Sequence, residues 1–434
     1  MILRSLTLSN FHRFEQFSID FDDRLTVLVG DNGSGKSSIL RAAGIALSTF
    51  LMSFEDVSAI EIKQRDARLV TYSHGEAIDR KPQFPVAIEA TGIVDDSEIT
   101  WTRALNSAKG KTTRIGAKKV ISQSKAYSQR LQAGDIDLVL PLIAFYGTGR
   151  LWANRQVGIN DIREIGRTEG YRGSLDVGTN DKALLEWFMK ASMQEFKIAR
   201  RSDLSYKSAT LSAVRQAIAS CFSFISGNND VTVEYNPDIN DLDIAYRDEF
   251  GEIQSLPRSY FSDGYKTTLS MVADIAYRMA VLNPGLGDKV IAETPGVVLI
   301  DEVDLHLHPK WQARVLADLQ SIFPRIQFIV TTHAPLVISS VRAKHIRKLM
   351  ADQPEAGMPH EEVYAGSLNR LVTTIMESNA RPKDDTRLFD EFYQCLDEGR
   401  FAQAKKLLDE LTSCMGNNEP DVITAQTAYA LEAE

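Results

Sequence analysis

The octapeptide Gly30-Asp31-Asn32-Gly33-Ser34-Gly35-Lys36-Ser37 stands between an apolar run, Leu25 to Val29, and a stretch from Lys36 to about Leu51 whose apolar residues recur at helical spacing. A buried strand that ends in a glycine-rich turn and feeds directly into a helix is the setting of a phosphate loop. The glycines let backbone N–H groups turn inward as a nest for phosphate oxygens, and the helix N-terminus adds positive dipole. In such a loop Lys36 reaches the β- and γ-phosphates and Ser37 ligates magnesium. Asn32, Gly33, Ser34, Gly35, Lys36, Ser37 and Ser38 are therefore the nucleotide-binding candidates, with ATP and Mg2+ as the expected ligands.

A second motif lies far downstream, where Val297-Val298-Leu299-Ile300 ends in Asp301-Glu302. A buried strand delivers Asp301 to the carboxyl edge of its sheet, where open α/β sheets bind ligands, so Asp301 is expected to hold the magnesium, directly or through water. Glu302 then faces the γ-phosphate and is placed to orient or deprotonate the attacking water. The third motif is Gln327 to His333, a strand ending in a histidine. A lone histidine at a strand end is commonly structural. Lying one helix-strand unit beyond Asp301, His333 is instead expected at the same γ-phosphate.

Strands alternating with helices around these motifs predict a mostly parallel sheet covered on both faces. The alternating segments FPVAIEA and EITWTRAL read as strands beside it, and 180–224 reads as helical, interrupted by a polar, basic stretch. VTVEY and DLDIAYRD read as a hairpin. Four parts follow: 1–150, a lobe with the phosphate loop and a β subdomain; 151–230, a helical insertion; 231–370, a second ATPase lobe; and 371–434, an acidic helical appendage. The appendage is either a partner-docking or oligomerisation element or a solvated hairpin.

The three cysteines, Cys221, Cys395 and Cys414, match neither a disulfide framework nor a metal knuckle, which suggests a reducing, cytoplasmic setting. No stretch approaches the roughly 18 apolar residues of a membrane helix, so no membrane partner is expected. With 49 Lys+Arg against 58 Asp+Glu the formal charge is −9, which excludes a uniformly basic nucleic-acid binder. The charge is uneven. Residues 99–134 hold eight bases (Arg103, Lys109, Lys111, Arg114, Lys118, Lys119, Lys125, Arg130) and no acid, so the remainder carries 41 against 58, or −17. Small and polar residues around Lys109 to Lys119 read as a mobile hairpin or loop, either a solvated or subunit-facing patch or a DNA contact through Lys109, Lys111, Arg114, Lys118 and Lys119.

These motifs, with the turn Asp304-Leu305-His306-Leu307-His308-Pro309, resemble the Walker A, Walker B, D-loop and switch histidine of ABC-type ATPases. The spacing of His306 and His308, with no cysteine or third histidine nearby, argues against a zinc pair, and the resemblance assigns both to the D-loop. Phe261-Ser262-Asp263-Gly264-Tyr265-Lys266 stands where that superfamily carries L-S-G-G-Q. Ser262 and Gly264 match the family's Ser and second Gly, which contact the γ-phosphate held by the opposite subunit; Asp263 and Tyr265 depart from it. The opening Asn10-Phe11-His12-Arg13-Phe14 resembles the SMC, RecF and OLD branch, and by that resemblance Arg13 approaches the nucleotide. No strand ending in Glu followed by D-x-D lies beyond His333, so the OLD-type nuclease domain is not expected.

The stretches Ser259 to Asp274, Glu302 to Gln312 and FYGTGRLW are similar to the compact bacterial ATPases of the PtuA group, from Septu and retron-associated anti-phage defence systems. The resemblance implies an α/β ABC-type ATPase head working as a head-to-tail dimer or a higher oligomer. Its implied partners are a separately encoded HNH nuclease such as PtuB, and DNA or a retron reverse transcriptase complex. A DNA-repair ATPase like RecF is the alternative.

Overall fold

The computed structural model describes the 434-residue chain apart from residues 56, 75–76, 152–165, 177–180, 202, 351–352, 360–361, 365, 367–382, 418 and 433–434. In chain order the first elements are β1 (Ile2–Phe11), β2 (Phe14–Asp20), β3 (Leu25–Gly30), α1 (Lys36–Leu51), β4 (Leu69–His74), β5 (Ala77–Pro82), β6 (Val86–Val94), β7 (Ser97–Leu105), α2 (Lys118–Gln132) and β8 (Leu142–Tyr146). Then come α3 (Asp181–Arg201), α4 (Ala209–Ser226), β9 (Asn229–Asn236), β10 (Asp241–Arg247), β11 (Ile253–Pro257) and α5 (Asp263–Leu282). These lead to α6 (Val290–Glu293), β12 (Gly296–Ile300), α7 (Pro309–Gln312), α8 (Val315–Ile322), β13 (Ile326–Thr331), α9 (Pro335–Ser339) and β14 (Ile346–Leu349). Three helices close the chain: α10 (Lys383–Asp397), α11 (Phe401–Met415) and α12 (Pro420–Glu432).

Continuous apolar runs make the central sheet. Every residue of β12 and β13 is buried, as a parallel strand covered on both faces requires. The five strands are parallel in the order β14-β3-β13-β12-β8. Thus β13 lies between the strand that enters the phosphate loop and the strand that ends at Asp301. In contrast, β1, β2, β6 and β7 alternate and form an antiparallel sheet in the order β2-β1-β6-β7.

Nearly all of α1 is buried, the condition of a helix apolar all round. It meets both sheets: Trp101 of β7 donates its indole N–H to Ala46 O at 3.1 Å, and Leu299 of β12 lies against Gly44. Gln327, buried on β13, locks the sheets together by accepting from Leu3 N at 2.8 Å and donating to Leu3 O at 2.7 Å. The expected α/β architecture, a parallel sheet with flanking helices and an antiparallel subdomain, is what the chain adopts.

Residues Met1–Gly366 form one compact unit and Ser367–Glu434 a second. The expected segments 1–150 and 151–230 lie in the first, as does the expected 231–370 up to Gly366. Within it α3 and α4 pack on α5, Trp187 against Tyr277 and Phe222 against Phe261 and Tyr265. Trp152 of the FYGTGRLW stretch, residues 152–165 of the expected insertion, and the expected boundary at 371 fall outside the described residues. The second unit has its own core of Phe392, Leu396, Leu408, Leu411 and Ala425.

Three sequence readings change. The helix of the helix-strand unit expected between Asp301 and His333 is broken between Gln312 and Val315. The hairpin β9-β10 gains a third strand, β11, which becomes an edge. The stretch read as a mobile loop is anchored: Thr112 Oγ1 accepts from Ile62 N at 2.9 Å, Thr113 N donates to Ala104 O at 2.7 Å, and Lys118 opens α2. Burial of Ala117, Val120 and Ser124 supplies the tertiary packing that a polar helix lacks by itself.

Candidate nucleotide site

The strand order decides what meets at the carboxyl edge. Thr331 pairs with Leu28 and Val330 with Ile300, so the ends of β3, β13 and β12 lie side by side. There an open cleft of about 290 Å3 is lined by His12, Arg13, Asn32, Gly33, Gly35, Lys36, Ser37, Ser38, Asp301, Glu302, Thr331 and His333. Motifs about 300 residues apart in sequence thus share one surface.

The loop is built as a phosphate cradle. Lys36 is buried and its ammonium donates to Gly30 O at 2.7 Å and Asp31 O at 2.9 Å. Its burial lowers the lysine's pKa, while Asp301, Asp31 and Glu302 pull it back up. Gly35 has φ +102°, and a Cβ there would stand 2.4 Å from the Phe14 ring, so glycine is required on both counts. Ser34 Oγ is buried without a hydrogen-bond partner among the described residues. Arg13 is exposed and donates to Gly33 O, bracing the loop.

Opposite the loop, Asp301 is buried. Its Oδ1 accepts from Ser37 Oγ at 3.2 Å and from Thr331 Oγ1 at 2.7 Å. A serine hydroxyl and a carboxylate are hard oxygen donors suited to a small divalent cation. Glu302 has φ 50°, in the left-handed region that a non-glycine residue occupies only when held there. Two bonds to one residue hold it: Glu302 N donates to Thr331 Oγ1 at 2.7 Å and Val303 N to Thr331 O at 2.9 Å. His333 sits two residues past the end of β13 and is half-buried in the cleft.

The expected signature pair lies outside this cleft. Ser262 is exposed at the N-cap position of α5, with no capping hydrogen bond from its side chain. Gly264 is buried, where a Cβ would stand 2.5 Å from His306 O, so the helix start packs on the Asp304 to Pro309 turn of its own chain. His306 is exposed with φ 64°, and His308 accepts from Lys310 N at 3.3 Å as a cap on α7. Thr332 Oγ1 donates to Asp304, tying the same turn to β13.

Of the basic segment, Arg103 leaves the surface: it is buried and pairs with Glu61 at 3.1 Å. Arg130 pairs with Asp135. Lys109, Lys111, Arg114, Lys118, Lys119 and Lys125 are all exposed, and among the described residues none has a carboxylate partner. Sequence reasoning missed Thr331, His12 and Asp66. The Thr-Thr-His end of β13 held a signal for the first, whereas nothing in sequence joins His12 to Asp66.

Sheet, cradle and facing carboxylates define a P-loop nucleotide-binding protein of the ATPase class. The chain belongs to the family described as AAA domain, which matches residues 5–221, and residues 194–339 match a further family described as AAA domain, putative AbiEii toxin, Type IV TA system. It is homologous to retron probable ATPases and to Septu protein PtuA. Retron Ec83 probable ATPase of Escherichia coli is 26% identical over 96% of this chain and 84% of its own length. Retron Vc95 probable ATPase of Vibrio cholerae serotype O1 biovar El Tor is 25% identical over 80% and 73%. Septu protein PtuA of Bacillus thuringiensis is 23% identical over 92% and 90%. No helix among the described residues is long and apolar enough to cross a membrane.

Proposed function

We propose that this protein is a cytoplasmic ATP-binding and ATP-hydrolysing subunit of an anti-phage defence system, and that its nucleotide state controls a partner HNH nuclease of the PtuB kind. One observation carries the enzymatic half: Lys36, Ser37, Asp301, Glu302 and His333 line a single cleft, with Ser37 and Asp301 3.2 Å apart. Lys36 and the loop N–H groups bind the phosphates, Ser37 and Asp301 hold magnesium, and Glu302 orients and deprotonates water for attack on the γ-phosphate beside His333. Magnesium supplies, when bound, positive charge against the phosphate oxygens. Ser262, exposed at the start of α5, is available to a second subunit's nucleotide, with Gly264 seating that helix end. Binding then assembles a head-to-tail dimer and hydrolysis releases it.

Glu302→Gln should keep ATP and lose turnover, while Lys36→Ala should lose binding. Unchanged hydrolysis in purified Glu302→Gln removes the catalytic assignment. For the partner, the neighbouring gene product is co-purified with ATP and with a nonhydrolysable analogue. Equal complex formation makes turnover dispensable for assembly, and no complex under either condition removes the nuclease half.

A second reading, a DNA-binding ATPase of the RecF kind, is favoured by the unpaired basic face. Lys118, Lys119 and Lys125 are exposed on α2, whose exposed side carries no acid, and Lys109, Lys111 and Arg114 precede it. No aromatic side chain among these exposed positions offers a stacking platform, so a duplex backbone fits better than single strands.

A further inference from the structure

His12 follows β1 with φ 51° and lines the cleft, its ring stacked on Phe11 at 4.5 Å. Both ring nitrogens are engaged. Nε2 lies 3.2 Å from Asp66 Oδ1, and Nδ1 lies 2.8 Å from Oγ of Ser38, a phosphate-loop helix residue. Asp66 is 1% exposed. Arg41 donates to both its oxygens at 2.8 and 2.9 Å, and Lys63 N donates to Oδ2 at 2.8 Å. Every neighbour of this carboxylate is a donor, so Asp66 is an ionised, acceptor-only group and His12 Nε2 carries a proton.

That leaves the Nδ1–Ser38 bond, whose direction depends on the charge of the imidazole. A neutral ring with its proton on Nε2 accepts the Ser38 O–H, which turns that hydroxyl proton away from the cleft. A phosphate oxygen at Ser38 is itself only an acceptor. For Ser38 to donate to it and keep its bond to His12, Nδ1 must be the donor to Ser38 Oγ, and the ring must then carry protons on both nitrogens. We infer that His12 is a positioning residue of the nucleotide site: as imidazolium, anchored by Asp66, it turns the Ser38 hydroxyl toward a nucleotide phosphate, so that binding takes up a proton. This rests on the nucleotide reading above. The other charged groups facing the ring are Arg41 of α1, Arg13 of the β1–β2 turn, and Lys36, Asp301, Glu302 and His333 across the cleft.

The direction with pH follows. The bound form holds the proton on Nδ1 that the neutral ring lacks, so the added affinity falls as pH rises. Titration of the intact protein with MgADP, by calorimetry in two buffers of different ionisation enthalpy, reads the proton directly. We expect proton uptake on binding that is larger at pH 7.5 than at pH 5.5, with Kd rising by up to about tenfold per pH unit between them. His12→Gln, which can donate to Ser38 but cannot titrate, should lose the uptake and flatten the profile, and Ser38→Ala should lose the uptake as well. A purely structural histidine would lower the Tm of His12→Gln and leave proton uptake unchanged. MgADP binding without uptake, or with equal uptake in His12→Gln, overturns the role of His12 alone. Absence of any MgADP binding overturns the nucleotide reading with it.

Discussion

Thr331 holds Asp301 and its neighbour with one hydroxyl: Oγ1 donates to Asp301 Oδ1 at 2.7 Å while it accepts the Glu302 N–H at 2.7 Å. The strand between the two halves of the site thus sets the carboxylate of one residue and the left-handed backbone of the next. Thr331→Val keeps the shape and removes both bonds, at a cost of about 1–3 kcal/mol. We expect a lower unfolding midpoint in urea and a drop in kcat at near-normal nucleotide affinity. Thr331→Ser should restore most of both.

Gly264→Ala separates helix propensity from packing. In an exposed helix the substitution stabilises by about 1 kcal/mol. Here the new Cβ would stand 2.5 Å from a backbone oxygen, His306 O, and overpacking of that kind costs about 1–3 kcal/mol. A destabilised variant that still binds ATP but fails to dimerise, by light scattering, is the expected result.

Asp66 gives a pH dependence. Burial alone would raise its pKa, but hydrogen bonds from His12, Arg41 and the Lys63 N–H hold it well below the usual carboxylate range. A depressed folded value means that the group's stabilisation is complete above the unfolded pKa, about 3.9, and is lost as pH falls below it toward the folded value. The gap in unfolding free energy between the wild type and Asp66→Asn should therefore be wide at pH 7 and narrow in acid.

The basic face of α2 is testable by salt. Each phosphate-contacting cation that is lost reduces the slope of log K against log salt by about 0.9 on duplex DNA. Charge reversal at Lys118 and Lys119, both exposed, should weaken duplex binding and flatten that slope, with ATP turnover unaltered in the absence of DNA. An unchanged slope removes this face from DNA contact.

The charge pattern shows how far linear information reaches. Eight bases without an acid mark residues 99–134 as a basic segment, but only packing showed that Arg103 is spent on Glu61 and Arg130 on Asp135. The same holds for the loop read as mobile, because Thr112 and Thr113 are anchored by partners that its composition does not reveal.

By itself the sequence determined the class of site. Gly35, Lys36 and Ser37 between strand and helix, Asp301-Glu302 after an apolar run and His333 after another are local patterns whose chemistry follows from residue type and spacing. The tertiary structure decided which of these groups meet, because sheet order is a long-range property: β13 between β3 and β12 brings the three motifs to one edge. It also decided the residues that orient them. Thr331 beneath Asp301, and Asp66 behind His12, act through hydrogen bonds between segments 30 and 54 residues apart. Hydrogen bonds need distances of about 3 Å, which no pattern along a chain specifies until the chain is folded.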